Sequence, residues 1–92
     1  MPDPEPYSYD TTARADRDLA RLPRRVAEAC AVHIHERLRF NPQRMTGREM
    51  GPPFAGCVNA HINGYRIVIR IDEERRHFDI VTIGPRGTVY NG

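Results

Sequence analysis

Arginine and tyrosine side chains near the C-terminus are the first candidates for chemistry. Arg66 and Arg70 stand four positions apart in an alternating, β-branched run, which predicts that both lie on one face of a single strand. Arg86 and Tyr90 follow in the next element. Guanidinium groups fixed on a rigid strand present planar, paired N–H donors to phosphate oxygens. The pattern therefore predicts an anion-binding site in this part of the chain.

The strand that carries these arginines sets the two faces of a predicted sheet. Its other face is apolar and consists of Tyr65, Ile67, Ile69 and Ile71. Residues 72–77 are polar or charged and residues 78–84 are again largely apolar, so the chain is expected to turn back as a hairpin. We expect earlier parts of the chain to bury the apolar face and the arginine face to stay open.

Length and composition restrict the class of protein. A chain of 92 residues has room for one domain with a modest core. Residues 1–6 alternate proline with acids and are predicted to be a disordered lead, followed by a single domain over residues 7–92. The absence of a long apolar run argues against a transmembrane span or a secretory signal. A net charge of +2 means that any nucleic-acid binding must depend on local placement of charge.

Two cysteines and the absence of familiar motifs narrow the chemistry further. Cys30 and Cys57 are too few and too far apart for a disulfide framework or a zinc pattern, so a reducing cytoplasm is expected. The sequence contains no glycine-rich phosphate loop and no visible nucleophile triad or metal cluster. No cofactor and no metal are therefore predicted.

Two helices are predicted before the sheet. Residues 7–9 have strand character, and residues 10–12 offer N-cap side chains for a helix that runs to about Leu22. Pro23 is predicted to begin a second helix, which ends at residues 41–42. Four apolar residues of that helix recur at four-residue steps: Val26, Cys30, Ile34 and Leu38. This stripe is expected to pack on the apolar face of the sheet.

The connector after the helices leads into another strand. Residues 43–56 are rich in glycine and proline and predict an ordered loop. Residues 57–62 alternate weakly and predict a strand whose polar face carries Asn59 and His61. The Asn63-Gly64 pair is typical of a tight hairpin turn into the arginine strand.

Taken in order, these segments resemble the RelE/ParE superfamily of bacterial toxins. The resemblance is carried by residues 17–23, Leu38 through 42, Gly47, residues 64–68 and residues 83–86 with 89–90. It implies an α+β fold of order β-α-α-β-β-β, with a small antiparallel sheet packed on an N-terminal helical hairpin. It also implies an antitoxin, encoded alongside, that wraps the toxin and occludes its cleft.

The resemblance to RelE-type members of this superfamily also implies an activity. They cut mRNA in the ribosomal A site without a metal, by attack of the ribose 2′-hydroxyl on the adjacent phosphate. By position, Arg66 matches the strand arginine after Gly-Tyr, Arg86 the arginine after the Ile-Gly turn, and Tyr90 the tyrosine near the C-terminus. Guanidinium groups aimed at the developing charge would stabilise the transition state more than the ground state.

The strand before the Gly-Tyr-Arg turn departs from the RelE pattern. RelE-type enzymes commonly carry lysine or arginine there, whereas this chain has Asn59 and His61. His61 is expected to act as general acid or base, since the reference pKa of histidine is about 6.5. Arg70 and Asn59 are expected to contact the substrate. A salt bridge from Arg66 to Asp79, or to an acid of the turn, is the competing structural explanation of that arginine.

Two other functions fit the same resemblance. A ParE-like toxin has the fold without RNA cleavage and acts by binding DNA gyrase, and the lack of basic residues at Cys57 and Asn59 favours it. A degenerate toxin retained only to bind its antitoxin is the other alternative. The combination of Arg66, Arg86 and Tyr90 favours the nuclease.

Overall fold

The computed structural model describes residues 5–85. The elements in chain order are β1 (Ser8–Thr11), α1 (Ala13–Arg21), α2 (Arg24–Glu36), a 3-10 helix (Leu38–Phe40), β2 (Val58–Ile62), β3 (Tyr65–Asp72) and β4 (His77–Pro85). The four strands form one sheet in the order β1-β4-β3-β2. The predicted α+β class and the predicted order of elements are confirmed. No helix within residues 5–85 is both long and apolar enough to cross a lipid bilayer.

The sheet is mixed, whereas an antiparallel sheet was expected. Strands β2, β3 and β4 pair antiparallel, as their short connecting turns require. Strand β1 pairs parallel with β4, and Ser8 lies opposite His77. Because both helices and two other strands lie between β1 and β4, no tight turn dictates the direction of that pair.

Two tight turns fix the register of the antiparallel strands. Asn63 and Gly64 have φ angles of 49° and 80°, as expected for the two-residue turn that joins strands with a right-handed twist. Arg76 closes the turn between β3 and β4 with a φ of 48°. The first turn brings His61 directly opposite Arg66. The site geometry therefore depends on a turn that the sequence predicts.

The helices begin close to where they were predicted, but the second ends earlier. Thr12 caps α1: its Oγ1 accepts a hydrogen bond from the Ala15 amide at 3.1 Å and donates one to the Val81 carbonyl at 2.7 Å. Helix α2 ends at Glu36, because Arg37 leaves the helical region with φ −130°. The 3-10 turn that follows still places Leu38 in the core.

One cluster fills the space between the helices and the sheet. Its buried members are Tyr7, Ala15, Cys30, Ile34, Leu38, Ala60, Ile67, Ile69, Phe78, Ile80 and Ile83. Three residues of the predicted helical stripe are buried and Val26 packs against them half-buried, so the predicted stripe is confirmed. Burial raises the pKa of the Cys30 thiol, which keeps it neutral as a small apolar side chain.

The carboxylate of Asp18 connects α1 to β4 through two hydrogen bonds. One oxygen of Asp18 accepts hydrogen bonds from the Thr82 hydroxyl at 2.5 Å and from the Ile83 amide at 3.0 Å. Thr82 is only 2% exposed, so its hydroxyl has no ready access to water. Loss of the carboxylate would leave two donors unsatisfied near the core.

We expect Asp18→Ala to lower the free energy of unfolding by about 1–3 kcal/mol, because buried donors lose a charged acceptor. Asp16→Ala is the matched control in the same helix, since exposed Asp16 accepts one bond, from Thr11. That variant should lose less than about 1 kcal/mol. Urea denaturation of the two variants measures the difference, and equal losses would contradict the role given to Asp18.

His33 on α2 is held in its neutral form. Burial, followed by the positive charge of Arg37, lowers the pKa of His33 from its usual 6.5. Its Nε2 is buried and has no hydrogen-bond partner within residues 5–85. Below pH 6.5 the unfolded chain therefore binds a proton that the folded chain resists.

The free energy of unfolding should consequently fall as the pH drops below about 6.5, and His33→Gln should reduce that fall. Denaturation at several pH values between 7.5 and 5.5 measures the slope. His35→Gln, which removes an exposed histidine two positions away on the same helix, is the comparison variant. A His33→Gln curve parallel to that of the native chain would show that His33 does not contribute.

Candidate functional site

Alternation along β3 separates the two faces of the sheet as predicted. Ile67 and Ile69 point into the cluster under the helices, whereas Val68 belongs to a second cluster on the opposite face. Arg66 and Arg70 share that opposite face. The arginines are therefore on the side of the sheet away from the helices.

The centre of this arginine face is covered, although the whole face was expected to stay open. Met50 and Phe54 from the connecting loop pack with Cys57 on Val68, and all four are buried. The loop is held to the sheet by hydrogen bonds from the Gly47 amide to the Asn59 carbonyl at 3.0 Å and from the Met50 amide to the Cys57 carbonyl at 2.7 Å. An apolar patch thus separates the two arginines.

One end of the face brings three predicted site residues together. Arg66 lies between His61 on β2 and Gly84 on β4, and Asn59 lies two residues along β2 from His61, opposite Val68. Directly opposed residues project to the same side of a sheet, so His61 and Arg66 are neighbours. His61 is exposed and Arg66 is half-buried. A fixed guanidinium beside an accessible imidazole can bind an anion and exchange a proton with it.

Arg70 lies apart from this group. It is exposed, and it is four residues from Arg66, a separation of about 13 Å along a strand. It faces an open hollow of about 730 Å³ that is also lined by Arg75, His77 and Asp79. Asp79 stands opposite Arg70 in the sheet, not opposite Arg66, so the register does not favour the competing salt bridge.

Two predicted site residues, Arg86 and Tyr90, lie outside the described residues. The last described residue, Pro85, stands opposite Tyr65. That position is at the same end of the sheet as Arg66 and His61. The described part of the site therefore consists of the Arg66 group and, separately, Arg70.

A second polar cluster was missed by the sequence analysis. His77 of β4 contacts Ser8 and Asp10 of β1 and Asp79 of its own strand. Ser8 and His77 are 69 residues apart in the chain, so no pattern of nearby residues in the sequence indicates this cluster. Only the parallel pairing of β1 with β4 assembles it.

Comparison with known proteins identifies the family. The family described as "ParE toxin of type II toxin-antitoxin system, parDE" matches residues 9–90 of this chain. Toxin RelE of Mycobacterium tuberculosis (strain ATCC 25618 / H37Rv) is 36% identical over 90 residues, which cover 98% of this chain and 92% of that protein. Toxin RelG of the same organism is 32% identical over 85 residues, covering 92% of this chain and 97% of RelG.

A solved structure agrees with these sequence matches. The toxin-antitoxin complex RelBE2 from Mycobacterium tuberculosis contains a chain that superposes with a TM-score of 0.80 at 31% identity. The match covers 88% of this chain and 92% of that one. By sequence and by fold, the chain belongs to the RelE/ParE family of toxins of type II toxin-antitoxin systems.

Proposed function

We propose that the protein is a toxin that cleaves translated mRNA on the ribosome in the cytoplasm and is neutralised by a cognate antitoxin. The observation that carries the proposal is the pairing of half-buried Arg66 with exposed His61 at one end of the sheet. Hydrogen-bonded neighbours on both sides of β3 fix the backbone of Arg66. A cation positioned in this way is suited to a phosphate that gains charge during reaction.

The chemistry assigned to the site is an internal transfer of the phosphoryl group. The ribose 2′-oxygen attacks the adjacent phosphorus, the bond to the 5′-oxygen breaks, and a 2′,3′-cyclic phosphate and a 5′-hydroxyl result. His61 removes the proton from the 2′-hydroxyl or supplies one to the leaving oxygen. Arg66 stabilises the charge on the phosphoryl oxygens. Arg86 and Tyr90 are proposed to complete the site, with Asn59 and Arg70 contacting the RNA.

Arg66→Ala should lower the rate of message cleavage about 10²–10³-fold, the usual loss for one preorganised transition-state donor. Arg24→Ala is the matched control, because the Arg24 side chain is 93% exposed on α2, away from the arginine face of the sheet. Primer extension on translated messages after induction in a bacterial host measures cleavage, and thermal melting of each purified variant checks the fold. Equal cleavage by Arg66→Ala and the native chain would refute the assigned role.

Gyrase inhibition is the second candidate, and two observations favour it. The matching family description is that of a ParE toxin. In addition, Cys57 and Asn59 stand where RelE-type enzymes commonly carry basic residues, and Cys57 is buried under the loop. Intact messages together with stalled gyrase and an SOS response after induction would support this function over cleavage. Growth without effect would identify a chain that only binds an antitoxin.

The antitoxin is proposed to occupy a hollow between α2 and β2. The solved relative RelBE2 is a toxin-antitoxin complex. In this chain Val32, 59% exposed, and Ile62 line a hollow of about 420 Å³. Arg25 and Arg37 also line it, against the single acid Glu28. This combination suits a partner segment that carries apolar and acidic side chains.

Val32→Glu should weaken binding of the antitoxin at least tenfold, because a carboxylate would enter an apolar contact and repel acidic partner residues. Ala31→Glu adds the same charge at an exposed neighbouring position of α2 and should bind within about twofold of the native chain. Titration with the protein encoded by the adjacent reading frame measures both affinities. If both variants bind like the native chain, the hollow is not the contact.

A further inference from the structure

Ser8, Asp10, His77 and Asp79 form a cluster where β1 meets β4. Asp10 and Asp79 pair across these parallel strands, as do Ser8 and His77, so all four side chains project from the same face. The His77 side chain is only 12% exposed, whereas those of Asp10 and Asp79 are 78% and 49% exposed. A largely buried imidazole thus lies beneath two accessible carboxylates.

The hydrogen bonds of Ser8 allow the tautomer of His77 that a metal ligand needs. The Ser8 hydroxyl lies 2.7 Å from Nδ1 of His77 and 3.5 Å from the Arg76 carbonyl. When the hydroxyl donates to that carbonyl, its oxygen accepts from Nδ1–H of His77. In the neutral ring Nε2 then has a lone pair rather than a hydrogen. That lone pair points towards carboxylate oxygens of Asp79, 3.1 Å away, and Asp10, 3.4 Å away.

In this tautomer three acceptor atoms converge on one point, an arrangement that suits a bound cation. The ligand atoms all lie within 4.8 Å of one another. A divalent metal with ligand distances of about 2.0–2.2 Å places neighbouring ligands of a tetrahedral or octahedral shell about 2.9–3.5 Å apart. Both distances from Nε2 fall in this range. A histidine whose second nitrogen is held by a hydrogen bond is also the usual arrangement of a metal ligand.

From this geometry we propose that Asp10, His77 and Asp79 bind one divalent cation of the zinc class. One imidazole and two carboxylates suit Zn²⁺, Co²⁺ and Ni²⁺, and water completes the coordination shell. Ser8 does not bind the ion itself, and its hydrogen bond to Nδ1 orients the His77 ring. The bound ion joins the edge strand β1 to β4 and so stabilises the N-terminal end of the fold.

The neighbouring charges allow a cation at this position. Asp72 stands opposite His77 and adds a negative charge, and Arg70 stands opposite Asp79. These four residues line the open hollow together with Arg75 and the acids Glu73 and Glu74, so acidic side chains outnumber the basic ones around it. The site also lies beside Arg70, at the far end of β3 from Arg66 and His61. The proposed ion is therefore a structural element, and the proposal does not depend on RNA cleavage.

Titration of the full-length, tag-free and metal-free chain with ZnCl₂ tests the proposal. We expect saturable binding of one ion per chain and a rise in the thermal midpoint on addition of zinc. His77→Gln and Asp79→Asn should each weaken binding at least tenfold, and Ser8→Ala by about tenfold, since an outer hydrogen bond typically contributes 10–100-fold. Glu74→Gln, which removes an exposed carboxylate from the adjacent turn, should bind within twofold of the native chain.

Cobalt locates the ion in the native chain, so the test does not depend on variants that fold poorly. Paramagnetic Co²⁺ should selectively perturb the amide resonances of residues 8–11 and 77–80. The absence of saturable binding would overturn the proposal. The proposal would also be overturned if Glu74→Gln lowered the zinc affinity as much as His77→Gln does. Cobalt-perturbed amide resonances centred on another part of the chain would overturn it as well.

Discussion

The structure depends on the burial of β3 on both of its faces. Ile67, Val68 and Ile69 are each 0% exposed, the two isoleucines beneath the helices and the valine beneath the connecting loop. A strand buried in this way cannot shift by one residue, because each shift would exchange its two sets of side chains. The same constraint positions the arginines. Because Val68 is covered, Arg66 and Arg70 are separated along the strand. Arg66 lies beside His61, whereas Arg70 faces the open hollow.

Local patterns in the sequence predicted much of this arrangement. Alternation along β3, the Asn63-Gly64 turn and the four-residue stripe of α2 are each encoded by residues close together in the chain. These features fix the class of the fold, the order of its elements and the neighbouring positions of His61 and Arg66. Each follows from a backbone preference or a hydrophobic period that acts over a few residues.

Features that depend on distant parts of the chain were not predictable in the same way. The covering of Val68 by Met50 and Phe54 arises in a segment without regular structure, where no period marks the buried side chains. The parallel direction of β1 depends on its contact with β4, and the polar cluster around His77 exists only through that contact. Helix α2 ends early because the backbone changes conformation at Arg37. The apolar stripe continues to Leu38, so the sequence pattern gives no sign of this break.

The parallel pair of β1 and β4 has a consequence for folding during translation. Within residues 5–85, β1 is synthesised first and pairs only with β4, which is synthesised last. Ser8 and His77 are 69 residues apart, so their contact forms only after the intervening chain has been translated. Contacts so distant in sequence are slow to form and cannot form at all before β4 has left the ribosome. The β1–β4 pair of the nascent toxin therefore cannot form until translation has passed β4.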